Sequence, residues 1–164
     1  MSKRAICRFP NPILSKPAEK VIRFDAEFHR EVNDLIATMY ASPATIGLAA
    51  PQIGISKRMF VSDLSSKDSK RKLSIFINPE IIISSGSKTL REGCLSLPDY
   101  TGNVRRAEEI TVRGLDVNGK TFEASTSGLE AICWQHEIDH LDGILFIHRV
   151  SNIKTDIFRR KRYQ

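Results

Sequence analysis

The sequence predicts an α+β fold in which mixed or antiparallel sheets surround a central helix, and that helix carries the pattern H-E-x-x-H at residues 136–140. Two segments, 58–63 and 73–83, are rich in β-branched and aromatic side chains, which is typical of strands. Apolar and polar residues alternate over 110–125, on both sides of Asn118-Gly119. An Asn-Gly pair between two such segments predicts a β-hairpin with a type I′ turn.

The first helix is predicted to begin at Asp25, whose short polar side chain is a favoured N-cap, and to run to about Tyr40. Its apolar residues recur at helical spacing and predict a buried face: Phe28, Val32, Leu35, Ile36 and Met39. A loop containing Pro43 is expected at 41–45, and a polar loop or hairpin tip at 65–72.

The second helix is predicted to follow the hairpin and to end near Gly143, because glycine favours helix ends. Ser127 and Glu130 have the spacing of a capping box at its start. One face of the helix carries Leu129, Ile132, Cys133, His136 and His140. Beyond it, residues 144–150 are expected to be extended, and a short basic helix or tail is expected from about residue 151.

The length of 164 residues predicts one domain that spans residues 1–164. The first residues lack the apolar run of a signal peptide, and no stretch has the roughly 20 apolar residues that span a membrane. Three cysteines are an odd number, which argues against a disulfide framework and favours a reducing compartment. We therefore expect a cytoplasmic protein without a membrane contact.

The formal net charge is +6, and its distribution is uneven. Residues 149–164 contain six Lys or Arg side chains and one Asp, which gives this segment a net charge of +5. Two interpretations remain open. The cations can be a solvated helix end that complements the negative pole of the helix dipole. They can also be an electrostatic contact with a polyanion such as RNA.

The pattern H-E-x-x-H predicts a metal hydrolase. Two histidines at positions i and i+4 lie on one face of a helix, so His136 and His140 can reach the same ion. Glu137, next to the first histidine, is placed to handle a proton beside that ion. The pattern alone also occurs by chance, and its context decides the interpretation.

A catalytic site of this kind needs a third protein ligand. An extended downstream motif would have a histidine where Phe146 stands, and the chain has no glutamate after His140. The other downstream candidates are Asp142, His148 and Asp156. Upstream, Cys133 is separated from His140 by roughly 10 Å along the helix, too far to share an ion, so it is expected to line a pocket. Cys7 is interpreted as a free thiol, which leaves Cys94 as the candidate best suited to ligation.

Three separated segments resemble the motifs of peptide deformylases, in the same order. They read G-L-A-A-P-Q-I-G at 47–54, E-G-C-L-S at 92–96 and Q-H-E-I-D-H at 135–140. Residues 10–14 and 110–116 are also similar to that family, so the resemblance covers nearly the whole chain. One position differs, because the family's first motif usually opens with the glycine that Thr45 replaces here. A β-branched residue would be strained there if positive φ were required.

The resemblance implies a metal-dependent hydrolase that removes the N-formyl group from the N-terminal methionine of newly made polypeptides and releases formate. In that family a metal-bound water attacks the formyl carbon, and Glu137 would act as general base and then as general acid. Cys94, His136 and His140 would hold one Fe²⁺ ion, for which Zn²⁺, Ni²⁺ or Co²⁺ can substitute. Nascent formyl-Met peptides are the implied partners, with a ribosome contact through the basic tail and no DNA contact.

The resemblance also assigns residues around the metal. The side-chain amide of Gln52 and the backbone N–H of Leu95 would stabilise the oxyanion. Contacts with the substrate are implied for Ile46, Gly47, Leu90, Glu92, Leu129, Ile132 and Cys133. Asp139 is expected to hold a histidine N–H or a basic group, and Glu92 is expected to pair with Arg106 behind the cysteine loop.

Other classes of protein stay open at this point. A metallopeptidase would use nearly the same chemistry on ordinary peptide bonds, although Phe146 in place of a third histidine argues against it. A metal-binding or RNA-binding module without activity would account for the basic tail but gives Glu137 and Gln52 no task. A deformylase whose loop at Thr45 has altered its substrate range is a further alternative.

Overall fold

The structure is a computed structural model that describes residues 1–65 and 72–160. Eight strands form two sheets within these residues. The five-stranded sheet has the order β1-β2-β3-β6-β7, with β1 at Gly47–Ala49, β2 at Met59–Ser62, β3 at Ser74–Ser85, β6 at Glu109–Leu115 and β7 at Thr121–Ser127. The three-stranded sheet has the order β4-β5-β8, with β4 at Lys88–Cys94, β5 at Leu97–Arg106 and β8 at Ile157–Arg159.

All strand pairs in the two sheets are antiparallel across the described ranges. The long helices are α1 at Ala26–Ala41 and α2 at Gly128–Leu141, and short 3-10 helices lie at Pro12–Ser15, Ala50–Ile53 and Phe146–His148. The predicted α+β class is confirmed, with antiparallel sheets around α2. Neither long helix is long and apolar enough to cross a membrane.

Helix α1 begins as predicted. The Asp25 carboxylate accepts a hydrogen bond from the backbone N–H of Phe28 at 2.9 Å, which satisfies one of the free donors of the first turn. The predicted apolar face is buried against the five-stranded sheet, and Phe28 and Leu35 are fully inaccessible to solvent. This packing fixes the edge of the sheet at which β1 enters the functional site.

The hairpin between β6 and β7 is confirmed, but the predicted type I′ turn is wrong. That turn needs positive φ at both central residues. Gly119 has φ of 79°, whereas among the described non-glycine residues only Ala44 and Asn78 have positive φ. The Asp116 carboxylate accepts hydrogen bonds from the backbone N–H groups of Asn118, at 2.8 Å, and Lys120, at 3.0 Å. These bonds favour a different turn, in which glycine alone is left-handed.

Helix α2 lies between the sheets, and one of its faces packs into the core through Trp134, whose indole N–H donates to Ser62 Oγ at 2.9 Å. The predicted capping box at its start is wrong. Ser127 is the N-cap without a side-chain cap bond, and Glu130 accepts instead from Thr126 Oγ1 at 2.7 Å. The helix ends before Gly143, whose φ of 76° and close approach to the backbone of residues 15 and 16 leave no room for a Cβ.

The chain after α2 differs from the sequence prediction. Residues 144–150 were expected to be extended, but Phe146–His148 form a 3-10 helix. The short helix expected from about residue 151 is also wrong for the described residues, because β8 pairs with β5 there. The Phe158 ring lies under the Arg91 guanidinium, 3.6 Å from the ring centroid, so tertiary contacts select the strand. Most of the predicted loop at 65–72 lies outside the described residues.

Candidate active site

Two imidazoles and one thiol converge at the centre of the molecule. Helix α2 presents His136 and His140 on one face, with ring centroids 5.0 Å apart. Cys94, at the end of β4, places its Sγ 3.3 Å from His140 Nε2. One ligand atom from each of the three side chains lies within 4.8 Å of the others. Cys133 is outside this group, as the helix geometry predicts.

The position of Cys94 follows from an irregularity in the β4–β5 pairing. Gly93 pairs with Thr101, and the register then shifts so that Cys94 pairs with Leu97. This tight connection turns the thiol inward, where it is buried. Burial alone would raise the pKa of the Cys94 thiol, but the adjacent imidazoles of His140 and His136 hold it well below its ordinary value. The environment therefore favours the thiolate, which is the form that binds a metal.

A chain of buried ionic contacts holds His136 in place. Its Nδ1–H donates a hydrogen bond to the Glu92 carboxylate at 2.8 Å, which leaves Nε2 as the ring nitrogen available to a metal. The Arg106 guanidinium donates two hydrogen bonds to the Glu92 carboxylate, at 2.6 and 2.9 Å, and a third to Asp139 at 2.9 Å. Arg149 donates to Asp139 from the surface at 2.9 Å. The predicted Glu92–Arg106 pair is confirmed, and Asp139 binds basic groups.

Glu137 is a buried carboxylate with one oxygen free. It is 4% exposed, and its Oε2 has no hydrogen-bond partner among the described residues. Burial in this apolar position raises the pKa of Glu137 to about 7. An unpaired buried oxygen is costly, so its presence beside the ligand group indicates that a water or substrate atom is meant to occupy the space.

The donor set fits a divalent transition metal. One thiolate and two neutral imidazoles are ligands that Zn²⁺ and Fe²⁺ accept, and three protein ligands leave a position open for water or substrate. The free oxygen of Glu137 also fits that arrangement, since a proton acceptor that is not itself a ligand is needed beside the open position. The site can therefore support metal-assisted hydrolysis.

Gln52 approaches the same group from the 3-10 helix after β1. Its side-chain oxygen accepts from the backbone N–H of Ala49 at 3.0 Å, which fixes the direction of the amide. Its Nε2 then points at Cys94 Sγ, at 3.4 Å, and at Ser96 Oγ, at 3.3 Å. A buried amide donor is thus held next to one of the three candidate metal ligands.

Gly47 occupies a position that only glycine fits. A Cβ built there would lie 2.7 Å from Cys133 Sγ and 2.9 Å from Glu137 Oε1, both far inside contact distance. The Cys133 thiol points its sulfur toward the Ile46 carbonyl at 3.8 Å, and burial raises its pKa well above the ordinary value. Cys133 is therefore a neutral, apolar part of the wall, as predicted from its place on the helix.

A cavity of about 920 Å³ opens over these groups. Among the residues that line it are Ile46, Gly47, Gln52, Leu90, Glu92, Cys94, Leu95, Leu129, Ile132, Cys133, His136 and Glu137. His140 lies beneath them, 1% exposed. The sequence-predicted residues are thus brought together in one place. Glu92 lines the cavity with its carboxylate bound to Arg106 and His136, so its contact with substrate stays a prediction.

Sequence reasoning missed several residues at the mouth of the cavity, which are Pro43, Ala44, Arg91, Gly93, Pro98, Asp99 and Arg160. No local pattern marks them, because they come from three separate parts of the chain that meet only in the folded structure. Thr45 does not have the positive φ that would strain a β-branched residue. Its neighbour Ala44 has positive φ instead, at 54°. The Thr45 hydroxyl donates a hydrogen bond to the Pro43 carbonyl at 3.2 Å. The loop thus accommodates a β-branched residue at Thr45.

Comparison with known proteins agrees with this geometry. The family model described as polypeptide deformylase matches residues 3–156. The peptide deformylase of Acidobacterium capsulatum is 48% identical over 161 residues, which cover 98% of this chain and 94% of that protein. A crystal structure of a peptide deformylase from Legionella pneumophila has a TM-score of 0.86 at 43% identity, covering 93% of this chain and 89% of the other.

A second solved structure, a peptide deformylase from Synechococcus elongatus in complex with actinonin, has a TM-score of 0.82 at 38% identity and covers 90% of this chain and 78% of the other. Sequence and fold agree over almost the whole length, including the segments that carry the three candidate ligands. The chain therefore belongs to the polypeptide deformylase family, whose members are metal-dependent hydrolases of formyl-Met peptides.

Proposed function

We propose that this chain removes the formyl group from the N-terminal methionine of newly made polypeptides, with Glu137 as the proton carrier beside a metal held by Cys94, His136 and His140. Membership of the family makes the chain a hydrolase that acts on formyl-Met peptides. The observation that carries the mechanism is the free, buried oxygen of Glu137 beside the three converging ligand atoms.

The ion that we propose is Fe²⁺, with Zn²⁺, Ni²⁺ or Co²⁺ as substitutes. When bound, the metal supplies Lewis acidity that activates a water molecule for attack on the formyl carbon. A single thiolate from Cys94 leaves the site with a net positive charge of about one, which suits this role and does not discriminate strongly among these ions. Glu92 and Arg106 support the site by fixing the tautomer of His136.

Glu137 moves the proton that the reaction must relocate. It accepts a proton from the attacking water at its free oxygen and delivers it to the amine nitrogen that leaves as the C–N bond breaks. Burial raises the pKa of Glu137 above that of an ordinary carboxyl, which favours its uptake of a proton from the water.

Gln52 and Leu95 supply the donors for the developing negative charge on the formyl oxygen. The Gln52 amide is already oriented by Ala49, so it needs no reorganisation when that charge appears. Leu95 follows Cys94 directly and lines the same cavity, and we propose its backbone N–H as the second donor. Loss of one such donor typically costs on the order of 3 kcal/mol of transition-state stabilisation.

The apolar wall of the cavity is the proposed site for the methionine side chain. Ile132 and Cys133 are buried in it, and Leu129 and Leu90 lie nearer the opening. The backbone of Ile46 and Gly47 packs against Cys133 beside this wall and can pair with the extended substrate as an added strand.

The decisive experiment is an anaerobic assay of the Fe²⁺-loaded protein on formyl-Met-Ala-Ser, with formate and free peptide both measured. Formate release with an intact peptide, lost in Glu137→Gln while metal content is retained, is the expected result. Cleavage of the peptide chain without formate would assign the protein to the peptidases. A Cys94→Ala variant should lose bound metal by elemental analysis, independently of any activity.

The basic C-terminal segment suggests a ribosome contact, and the cytoplasm is the compartment that we propose for a single-domain enzyme acting there. Lys154 and Arg159 are exposed cations within the described part of the segment. Binding to ribosomal RNA through such groups should weaken steeply with salt. The test is co-sedimentation with ribosomes at low salt, before and after the cations from 159 to 162 are replaced by neutral residues. If the replacement leaves co-sedimentation unchanged, the ribosome contact is refuted.

A further inference from the structure

The mouth of the cavity carries a cation, Arg160, whose side chain has no ion-pair partner among the described residues. Arg160 lines the cavity, and its Nη2 lies so close to Gly93 that an added Cβ would overlap it. Within residues 1–65 and 72–160, no hydrogen bond or ion pair engages its guanidinium. The absence of a side chain at Gly93 therefore leaves room for this guanidinium beside the residue that precedes the Cys94 ligand.

The strand before Arg160 holds it in that position. The backbone N–H of Arg160 donates to the Asp99 carbonyl at 2.8 Å, directly after the pairing of Arg159 with Tyr100. Phe158 is fixed under Arg91, so the strand cannot slide along β5 without losing this contact. Arg160 is thus anchored by its backbone while its side chain reaches over the opening.

Of the other charged groups at the cavity, Glu92 and Arg91 have side-chain partners, whereas Asp99 has no ion pair among the described residues. Glu92 is bound by Arg106 and His136, and Arg91 is engaged by the Phe158 ring and by Asn103. Asp99 is exposed at the same rim and forms no ion pair with Arg160 among the described contacts. The guanidinium consequently faces the opening as the group available to a ligand.

The proposed reaction determines which part of the substrate lies beside Arg160 at the mouth of the cavity. The formyl group lies at the metal, so the peptide chain beyond methionine leaves through the mouth of the cavity. A guanidinium binds a carboxylate through two parallel hydrogen bonds, and it binds a neutral carbonyl less strongly. We propose that Arg160 is a specificity-determining residue that binds a carboxylate of the substrate within the two residues after formylmethionine; this inference rests on the proposed deformylase activity.

The test compares formyl-Met-Ala-Ser, formyl-Met-Glu-Ser, formyl-Met-Ala-Glu and formyl-Met-Lys-Ser, all as C-terminal amides so that only a side chain can supply a carboxylate. For the wild type at low ionic strength, kcat/KM for the better glutamate peptide should exceed that for the lysine peptide about fivefold, as expected for a partly exposed ion pair. The preference should shrink as salt is added.

Arg160→Gln should abolish that preference through KM with kcat unchanged, because the contact is remote from the reacting carbon. Arg160→Lys keeps the charge and should keep part of the preference. Arg159→Gln is the matched control: it removes the same charge from the adjacent residue, which does not line the cavity, and should leave the preference intact.

Three results would overturn the proposal. An Arg160→Gln enzyme that keeps the glutamate preference would exclude a contact with the carboxylate. A fall in kcat on all peptides, together with a lower melting temperature, would make Arg160 a structural residue only. Equal effects of the two glutamine variants would indicate general electrostatics. Failure of the wild type to release formate from the neutral peptide would instead remove the deformylase mechanism itself, and this inference with it.

Discussion

Arg106→Ala is expected to destabilise the protein and to weaken metal binding, because one buried side chain joins two buried carboxylates. Arg106 is 7% exposed and holds Glu92 at 2.6 and 2.9 Å and Asp139 at 2.9 Å. Removing one partner of a buried ion pair costs about 3–5 kcal/mol, since a charge is left without compensation. Asp139 keeps Arg149, and Glu92 keeps His136, so we expect the lower end, about 3 kcal/mol.

Removal of the Arg106 side chain should also lower metal affinity, because Arg106 orients Glu92 and Glu92 orients His136. Burial alone would raise the pKa of Glu92, but His136 and Arg106 together hold it below its ordinary value. Without the guanidinium the carboxylate is less firmly oriented, and its hold on His136 Nδ1 loosens. Disturbing such a supporting contact typically lowers metal affinity about 10- to 100-fold.

Urea unfolding at pH 7 and competition with a chelator measure the two effects. Arg105→Ala is the matched control, because this exposed neighbour only donates to Ser87 Oγ at 3.1 Å and should change the free energy of unfolding by less than about 0.5 kcal/mol. Adding Glu92→Gln to Arg106→Ala should recover part of the lost stability by removing the unpaired charge. Unchanged unfolding and unchanged metal affinity in Arg106→Ala would refute the reasoning.

Three further perturbations probe other parts of the structure. Gly47→Ala should lower kcat/KM about tenfold or more, because the new methyl group overlaps Cys133 Sγ and Glu137 Oε1, and full activity in this variant would contradict the packing. Asp63→Asn tests pH dependence: burial alone would raise the pKa of Asp63, but hydrogen bonds from the Ser65 hydroxyl, the Tyr40 hydroxyl and the backbone N–H groups of Ser65 and Lys72 lower it to about 2. The wild type should thus have about 1 kcal/mol of stability above pH 4 that is lost as the pH falls through 2, and the variant should not, which acid titration of the unfolding free energy checks. Asp25→Ala should cost about 1 kcal/mol by loss of the helix cap, and an unchanged thermal midpoint would show that the cap bond is energetically silent.

The two histidine ligands could be predicted from spacing, whereas the third ligand could not. His136 and His140 are four residues apart on one helix, and helical geometry alone brings their rings together. Cys94 is 46 residues from His140, and its approach depends on the register shift after Gly93. No local pattern encodes such a shift, so Cys94 was reached only by excluding the other candidates, and the family resemblance then supported the choice.

Predictions from local sequence patterns were wrong where a nearby polar side chain stabilised a different backbone geometry. Asn118-Gly119 favours a type I′ turn, but Asp116 captures two backbone N–H groups and selects another geometry. At the start of α2, Glu130 bonds to Thr126 in place of completing a capping box with Ser127. In each case a polar neighbour outside the pattern offered a competing hydrogen bond.

The C-terminal segment shows how tertiary pairing changes the meaning of a charge. As sequence, residues 149–164 are a run of cations that suits a solvated helix or a contact with RNA. In the structure, pairing of β8 with β5 delivers Arg160 to the mouth of the cavity, where Gly93 makes room for it. Arg159, one residue earlier, carries the same charge but does not line the cavity. The difference between the two arginines arises from strand pairing, so counting charges along the sequence cannot show which cation lies at the cavity and which lies at the surface.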